Sequence, residues 1–132
     1  MNIKIENAGV HHIALRVKDY NKSFKLYTEG FGFKLAYAWG EKAERVCLLD
    51  IGDGSYLELF DGGDDSVQGN FWHLAFKTTD VDTAFKNAIA NGAIADKEPF
   101  DTVINAVPEK IHVRIAFVKG FDGELLEFFG AK

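Results

Sequence analysis

Four ionisable side chains recur in register along this chain. His12 opens the run His12-Ile13-Ala14-Leu15-Arg16, and His73 opens His73-Leu74-Ala75-Phe76-Lys77. Glu58 and Glu127 fall near the ends of two further runs, Gly54-Ser55-Tyr56-Leu57-Glu58-Leu59-Phe60 and Gly123-Glu124-Leu125-Leu126-Glu127-Phe128-Phe129. Residues two apart on a strand share a face, so His12 goes with Ala14 and Arg16, and His73 with Ala75 and Lys77. Glu58 likewise goes with Tyr56 and Phe60, and Glu127 with Leu125 and Phe129. Each carboxylate stands among bulky apolar neighbours, where an unpaired charge costs several kcal/mol or forces protonation. A cation relieves that cost. Two imidazoles and two carboxylates suit a divalent ion such as zinc, nickel, cobalt, manganese or iron. The predicted metal ligands are therefore His12, Glu58, His73 and Glu127.

The elements that carry these residues are written twice. Residues 10–17 alternate and are rich in branched side chains, which predicts a strand. A helix follows over 19–29, capped by Asp19, with Tyr20, Phe24 and Tyr27 as its apolar stripe, and Gly30 and Gly32 mark its stop. Strands are predicted over 33–39, 45–51 and 55–60, the last two joined by an Asp53-Gly54 hairpin turn. The order then restarts, with a strand over 71–78 and a helix over 80–90 that ends at Asn91-Gly92. A short strand over 95–100 and two more over 111–118 and 124–129 complete it. One module thus covers about 8–61 and the other about 71–130, with a polar, glycine-rich linker over about 62–70. The histidines lie 61 positions apart and the glutamates 69, so the second module carries eight extra residues. Arg45-Val46-Cys47-Leu48-Leu49 against Arg114-Ile115-Ala116-Phe117-Val118 already shows the wider offset. The insertion is therefore expected in 101–110, as a loop long enough to lie over a cleft.

Composition narrows the function. A chain of 132 residues is long enough for one hydrophobic core. A net charge of -5 with no basic cluster argues against nucleic acid as a partner. No apolar run approaches the roughly 18–20 residues that span a bilayer, and Met1 to Asn7 lacks the apolar stretch of a signal peptide. Cys47 is the single cysteine; it allows no internal disulfide, suits a reducing cytoplasm and is expected as a small buried strand residue. His11 is expected on the face opposite His12, and His112 in a structural role. The Asp61, Asp64 and Asp65 group lacks the spacing of a calcium loop and is expected as a solvated turn.

The stretch from His12 to Tyr27, with Asp19, Ser23 and Tyr27, together with the four ligand positions, resembles the vicinal oxygen chelate superfamily. That superfamily includes glyoxalase I, the bleomycin-resistance proteins and the extradiol dioxygenases, and the likeness covers nearly the whole chain. The resemblance implies one α+β domain over 1–132, in which two βαβββ modules form a curved mixed sheet around a central cleft with helices on the outer face. His12, Glu58, His73 and Glu127 match, in that order, the ligands of bacterial glyoxalase I. By that match the protein is expected to be a metal-dependent isomerase that moves a proton between adjacent carbons through a metal-stabilised enediolate. Glu127 would leave the metal to act as base, with Glu58 as its counterpart on the other side of the substrate. Arg16 matches an arginine that helps bind a carboxylate of the glutathione conjugate, and Lys77 occupies the repeated position. Beyond Arg16 the residues that grip glutathione have no match, so the thiol co-substrate, glutathione or another, stays open. An acyl-CoA epimerase of the methylmalonyl-CoA type and a drug-sequestering protein of the bleomycin-resistance type remain alternatives. Extradiol dioxygenases and fosfomycin-modifying thiol transferases use three protein ligands, and Glu58 counts against both. Relatives commonly pair, so a homodimer acting on a small molecule is expected.

Overall fold

A computed structural model describes Lys4, 10–64 and 72–132. The alternating runs form strands, and the two stripes of period near 3.6 form helices. In chain order the elements are β1 (His12–Arg16), α1 (Tyr20–Lys25), a π-helical turn (Leu26–Gly30), β2 (Lys34–Trp39), β3 (Val46–Asp50) and β4 (Tyr56–Phe60). Then come β5 (His73–Lys77), α2 (Val81–Ala90), β6 (Ile94–Ile104), β7 (Ile111–Lys119) and β8 (Leu125–Ala131). Asp19 caps α1 by accepting from the Lys22 amide, and Asp80 caps α2 by accepting from the Thr83 amide, so each helix start has an orphan donor satisfied. The α+β class and the paired βαβββ order are those expected from the sequence. Of the linker and the strand start predicted over 62–78, residues 65–71 lie outside the described ones, Asp65 among them.

Each module makes its own four-stranded mixed sheet, in the orders β1-β4-β3-β2 and β5-β8-β7-β6. The one sheet expected from the resemblance is thus present as two separate sheets, one per module. β1 runs parallel to β4, and β5 parallel to β8, while the remaining pairings are antiparallel. The histidine-bearing strands β1 and β5 are edges, each paired on one side only among the described residues.

The two halves are held by their helix-bearing faces. Val17, Leu57, Leu59, Leu126 and Phe128 point to these faces and join Leu26, Tyr27 and Phe85 in one core. Phe31 of the first module packs its ring 5.5 Å from Phe76 and 5.3 Å from Phe128 of the second. At Gly30 the modules approach closely, since a Cβ there would meet the Asn91 Cβ at 2.9 Å. It therefore serves close approach rather than positive φ, which Gly32 takes at +76°.

Polar bonds cross the same boundary: the Lys18 amide donates to Asp122 Oδ1 at 2.9 Å, and a second bond is buried deeper. The Tyr27 hydroxyl donates to Glu124 Oε2 at 2.7 Å. Burial pushes the Glu124 carboxyl above its ordinary range against the pull of that hydrogen bond. Its stabilising contribution is fully present below the unfolded carboxylate pKa and fades as pH rises through the raised folded value. Urea denaturation between pH 4 and 8 is the check, at about those values. Wild type minus Glu124→Gln should lose stability with rising pH, and a difference that is flat or rises would contradict the assignment.

The eight extra residues of the second module are not a covering loop. β6 spans 11 residues against 6 in β2, and β7 spans 9 against 5 in β3. Residues 101–104 are thus drawn into a longer β6–β7 hairpin whose connection is 105–110, because Thr102, Val103 and Ile104 continue the ladder opposite Val113, His112 and Ile111. Their β-branched side chains favour that pairing over a loop. Arg45 and Arg114 are equivalent in structure as in sequence. Arg45 donates to Asp61 Oδ2 at 3.0 Å, and Arg114 grips Asp82 at 2.7 and 2.8 Å. Asp61 is accordingly engaged in structure and not merely solvated. Cys47 is fully buried, as expected. No helix among the described residues is long and apolar enough to cross a membrane.

Candidate metal centre

The ladder register explains how each histidine finds its glutamate. In the first module His12 stands opposite Tyr56, and Ala14 opposite Glu58. In the second, His73 stands opposite Leu125, and Ala75 opposite Glu127. A small alanine beside each carboxylate leaves it free to lean along the sheet toward the histidine. His12 Nε2 lies 3.3 Å from Glu58 Oε1, and His73 Nε2 lies 3.3 Å from Glu127 Oε1. The duplication in sequence is a duplication in geometry. Both glutamates are 8% exposed, while their histidines open to the surface. Burial raises the Glu127 carboxyl above its usual range, with His73 beside it acting in the opposite direction.

The chain brings these residues together in twos and not in fours. Among the described residues, no three His, Cys, Asp or Glu side chains are grouped closely enough to hold a metal ion. The reason is the packing of the modules. Leu57 and Leu59 flank Glu58, and Leu126 and Phe128 flank Glu127; these neighbours turn into the common core. Alternation then directs both glutamates to the opposite sheet faces. A cleft of about 890 Å³ does lie between the modules, bordered by Ile13, Phe31, Phe33 and Phe128, but of the predicted site residues only Lys77 lines it. It is not where the His–Glu chemistry sits.

His11 does not keep to the opposite face. Its Nδ1 lies 3.0 Å from His12 Nδ1, and its ring packs 5.3 Å from that of Tyr56. Alternation misjudged it because His11 precedes the first residue of β1. The bond requires one Nδ1 to carry a proton. A metal on His12 Nε2 would leave Nδ1–H to donate to His11, an arrangement common around metal-bound imidazoles. In the second module the same position is Trp72, whose ring is 4.7 Å from His73. Arg16 lies opposite Phe60 at the end of β1, exposed and on the His12 face. Lys77 holds the matching place on β5 opposite Phe129. Both stand near a pair without touching it. His112 faces Val103 within the β6–β7 ladder, a structural place.

A family model for the Glyoxalase/Bleomycin resistance protein/Dioxygenase superfamily matches residues 9–128. The chain belongs to that superfamily. No curated protein matches it significantly. Among solved structures it is similar to TnmS3, an antibiotic binding protein from Streptomyces sp. CB03234, at 22% identity and TM-score 0.73 over 97% of this chain and 99% of that one. It is also similar to a variant of FosX, a genomically encoded fosfomycin resistance protein from Listeria monocytogenes, complexed with Mn(II) and 1S,2S-dihydroxypropylphosphonic acid. That likeness has 22% identity and TM-score 0.72 over 96% of this chain and 94% of the other. A glyoxalase I variant from Zea mays matches at 26% identity and TM-score 0.72, where 91% of this chain corresponds to 43% of that one. The solved structures it resembles thus include one complexed with Mn(II) and a small molecule and one of an antibiotic binding protein.

Proposed function

We propose that this protein is a metal-dependent isomerase of the glyoxalase I type, which moves a proton between adjacent carbons of a substrate bearing two neighbouring oxygens. Each centre is built from two copies of the chain, with His12 and Glu58 from one and His73 and Glu127 from the other. The supporting observation is the pair of equal 3.3 Å His–Glu contacts carried on, or beside, two open sheet edges. An open edge is a row of unpaired donors and acceptors that seeks a strand. Joining β1 of one copy to β5 of a second, twice by a two-fold axis, closes both edges and gives two equal sites.

Two nitrogens and two carboxylate oxygens fit zinc, nickel, cobalt, manganese or iron, and leave room for a substrate in a five- or six-coordinate site. When bound, such an ion supplies Lewis-acid stabilisation of the negative charge that develops on a substrate oxygen. Glu127, whose burial favours its protonated form, is suited to take a proton from one carbon and return it to the next. Glu58 faces the substrate from the other side as its counterpart. Arg16 and Lys77 supply positive charge for an anionic group, whether of glutathione, another thiol or an acyl carrier.

Elemental analysis of purified protein, followed by assay with the hemithioacetal of methylglyoxal and with methylmalonyl-CoA, tests this reading. A second reading, ligand sequestration, is favoured by Tyr37 and Trp39, which are 61% and 49% exposed. Metal-free protein that binds ligands without turnover would establish it instead. His11 offers a finer check. His11→Ala is expected to weaken divalent-ion affinity about 10- to 100-fold in chelator competition, and unchanged affinity would remove His11 from the support of His12.

A further inference from the structure

The two modules repeat their ligands, yet the rows of side chains running outward from those ligands do not repeat. In the first module the row through the glutamate is Ala14, Glu58, Leu48 and Tyr37. In the second it is Ala75, Glu127, Phe117 and Lys97. Directly paired residues share a sheet face, and each outer residue is two strands, about 10 Å, from its glutamate. The side chains follow that register. Tyr37 sets its ring 6.5 Å from Tyr56, the residue opposite His12. Lys97 places its ammonium 5.8 Å from the Phe117 ring, and Phe117 lies 6.0 Å from His73. Trp39 extends the Tyr37 wall, being two residues along the same strand.

The outer ends therefore differ in kind. One is a half-exposed aromatic wall, Tyr37 and Trp39, which is costly surface unless something covers it. The other is a lysine with no carboxylate partner among the described residues. A symmetric ligand would waste one end.

We infer that the substrate is polar in the lengthwise sense: its chelating oxygens sit at the His–Glu pairs, a planar apolar group covers Tyr37 and Trp39, and an anionic group meets Lys97. This assignment rests on the metal-centre reading above and deepens it. Tyr37 and Lys97 are specificity-determining residues, and neither takes part in proton transfer.

The test is a set of unreactive chelators measured by calorimetry on zinc-loaded protein. N-benzyl-N-hydroxysuccinamate carries a phenyl group on one side of a hydroxamate and a carboxylate on the other. Its partners replace benzyl by methyl, or carboxylate by carboxamide. Tyr37→Ala is expected to lower the benzyl-over-methyl preference about tenfold, and Lys97→Met the carboxylate-over-amide preference about tenfold. Each variant should change its own ratio and spare the other. Both side chains are exposed, and circular dichroism checks that the variants fold. Zinc-dependent binding with both ratios unchanged, or falling together in either variant, overturns the inference while the metal centre stands. Protein that retains no zinc by elemental analysis removes the centre itself, and the inference with it.

Discussion

Glu127→Gln is expected to cut isomerase turnover by about 100- to 10,000-fold, the usual contribution of a positioned acid–base group, while the protein stays folded. The amide keeps the shape of the carboxylate but cannot accept a proton from carbon. Glu127 is 8% exposed and flanked by Leu126 and Phe128, so the substitution exchanges a group that burial biases against ionisation for a neutral one. Thermal denaturation of the metal-free proteins at neutral pH should therefore give the variant a melting temperature no lower than that of the parent. Steady-state kinetics on the substrate identified by assay, with metal content measured on the same sample, separate a lost base from a lost ligand. Full turnover in the variant would take Glu127 out of the reaction.

The second large effect comes from mixing two defective proteins. If each centre joins the first module of one copy to the second module of another, His12→Ala and His73→Ala dimers should each be inactive. Mixed dimers then hold one centre bearing both substitutions and one bearing neither. Co-refolding equal amounts should restore about a quarter of parental activity and metal content, since about half the dimers are mixed and each has one intact centre. A centre lying within one chain cannot be rescued this way, because every chain carries a damaged histidine. Absence of rescue, with dimers confirmed by size-exclusion chromatography, would defeat the shared centre.

Much of this was legible in the residues. Period-two alternation placed Glu58 opposite the Leu57 and Leu59 face and Glu127 opposite the Leu126 and Phe128 face, and the structure has them so. Asp19 was readable as a cap because a short acceptor before an amphipathic run has one obvious use. The repeat even paired Arg45 with Arg114 before either had a partner. Other features were hidden for stateable reasons. His11 escaped because alternation applies inside a strand, and His11 lies just before β1 begins. The segment 101–110 was read as a loop because Pro108 interrupts it, yet the branched residues before it extend the ladder. Tyr37 and Lys97 carry no motif; they become notable only when β2 and β6 are set in register with their neighbours.

The sequence alone determined that one histidine and one glutamate recur in each module and which strand face each takes, because side-chain period and duplication are local properties that survive without a fold. Only the tertiary structure decided where those pairs face. Apolar burial is non-directional, and nothing in an alternating strand says which neighbouring module will cover its apolar side. Here Phe31, Phe76 and Phe128 close the modules against each other through their helix-bearing faces. The His–Glu faces are left turned outward, and His12 and His73 are carried on edges that a second copy can meet.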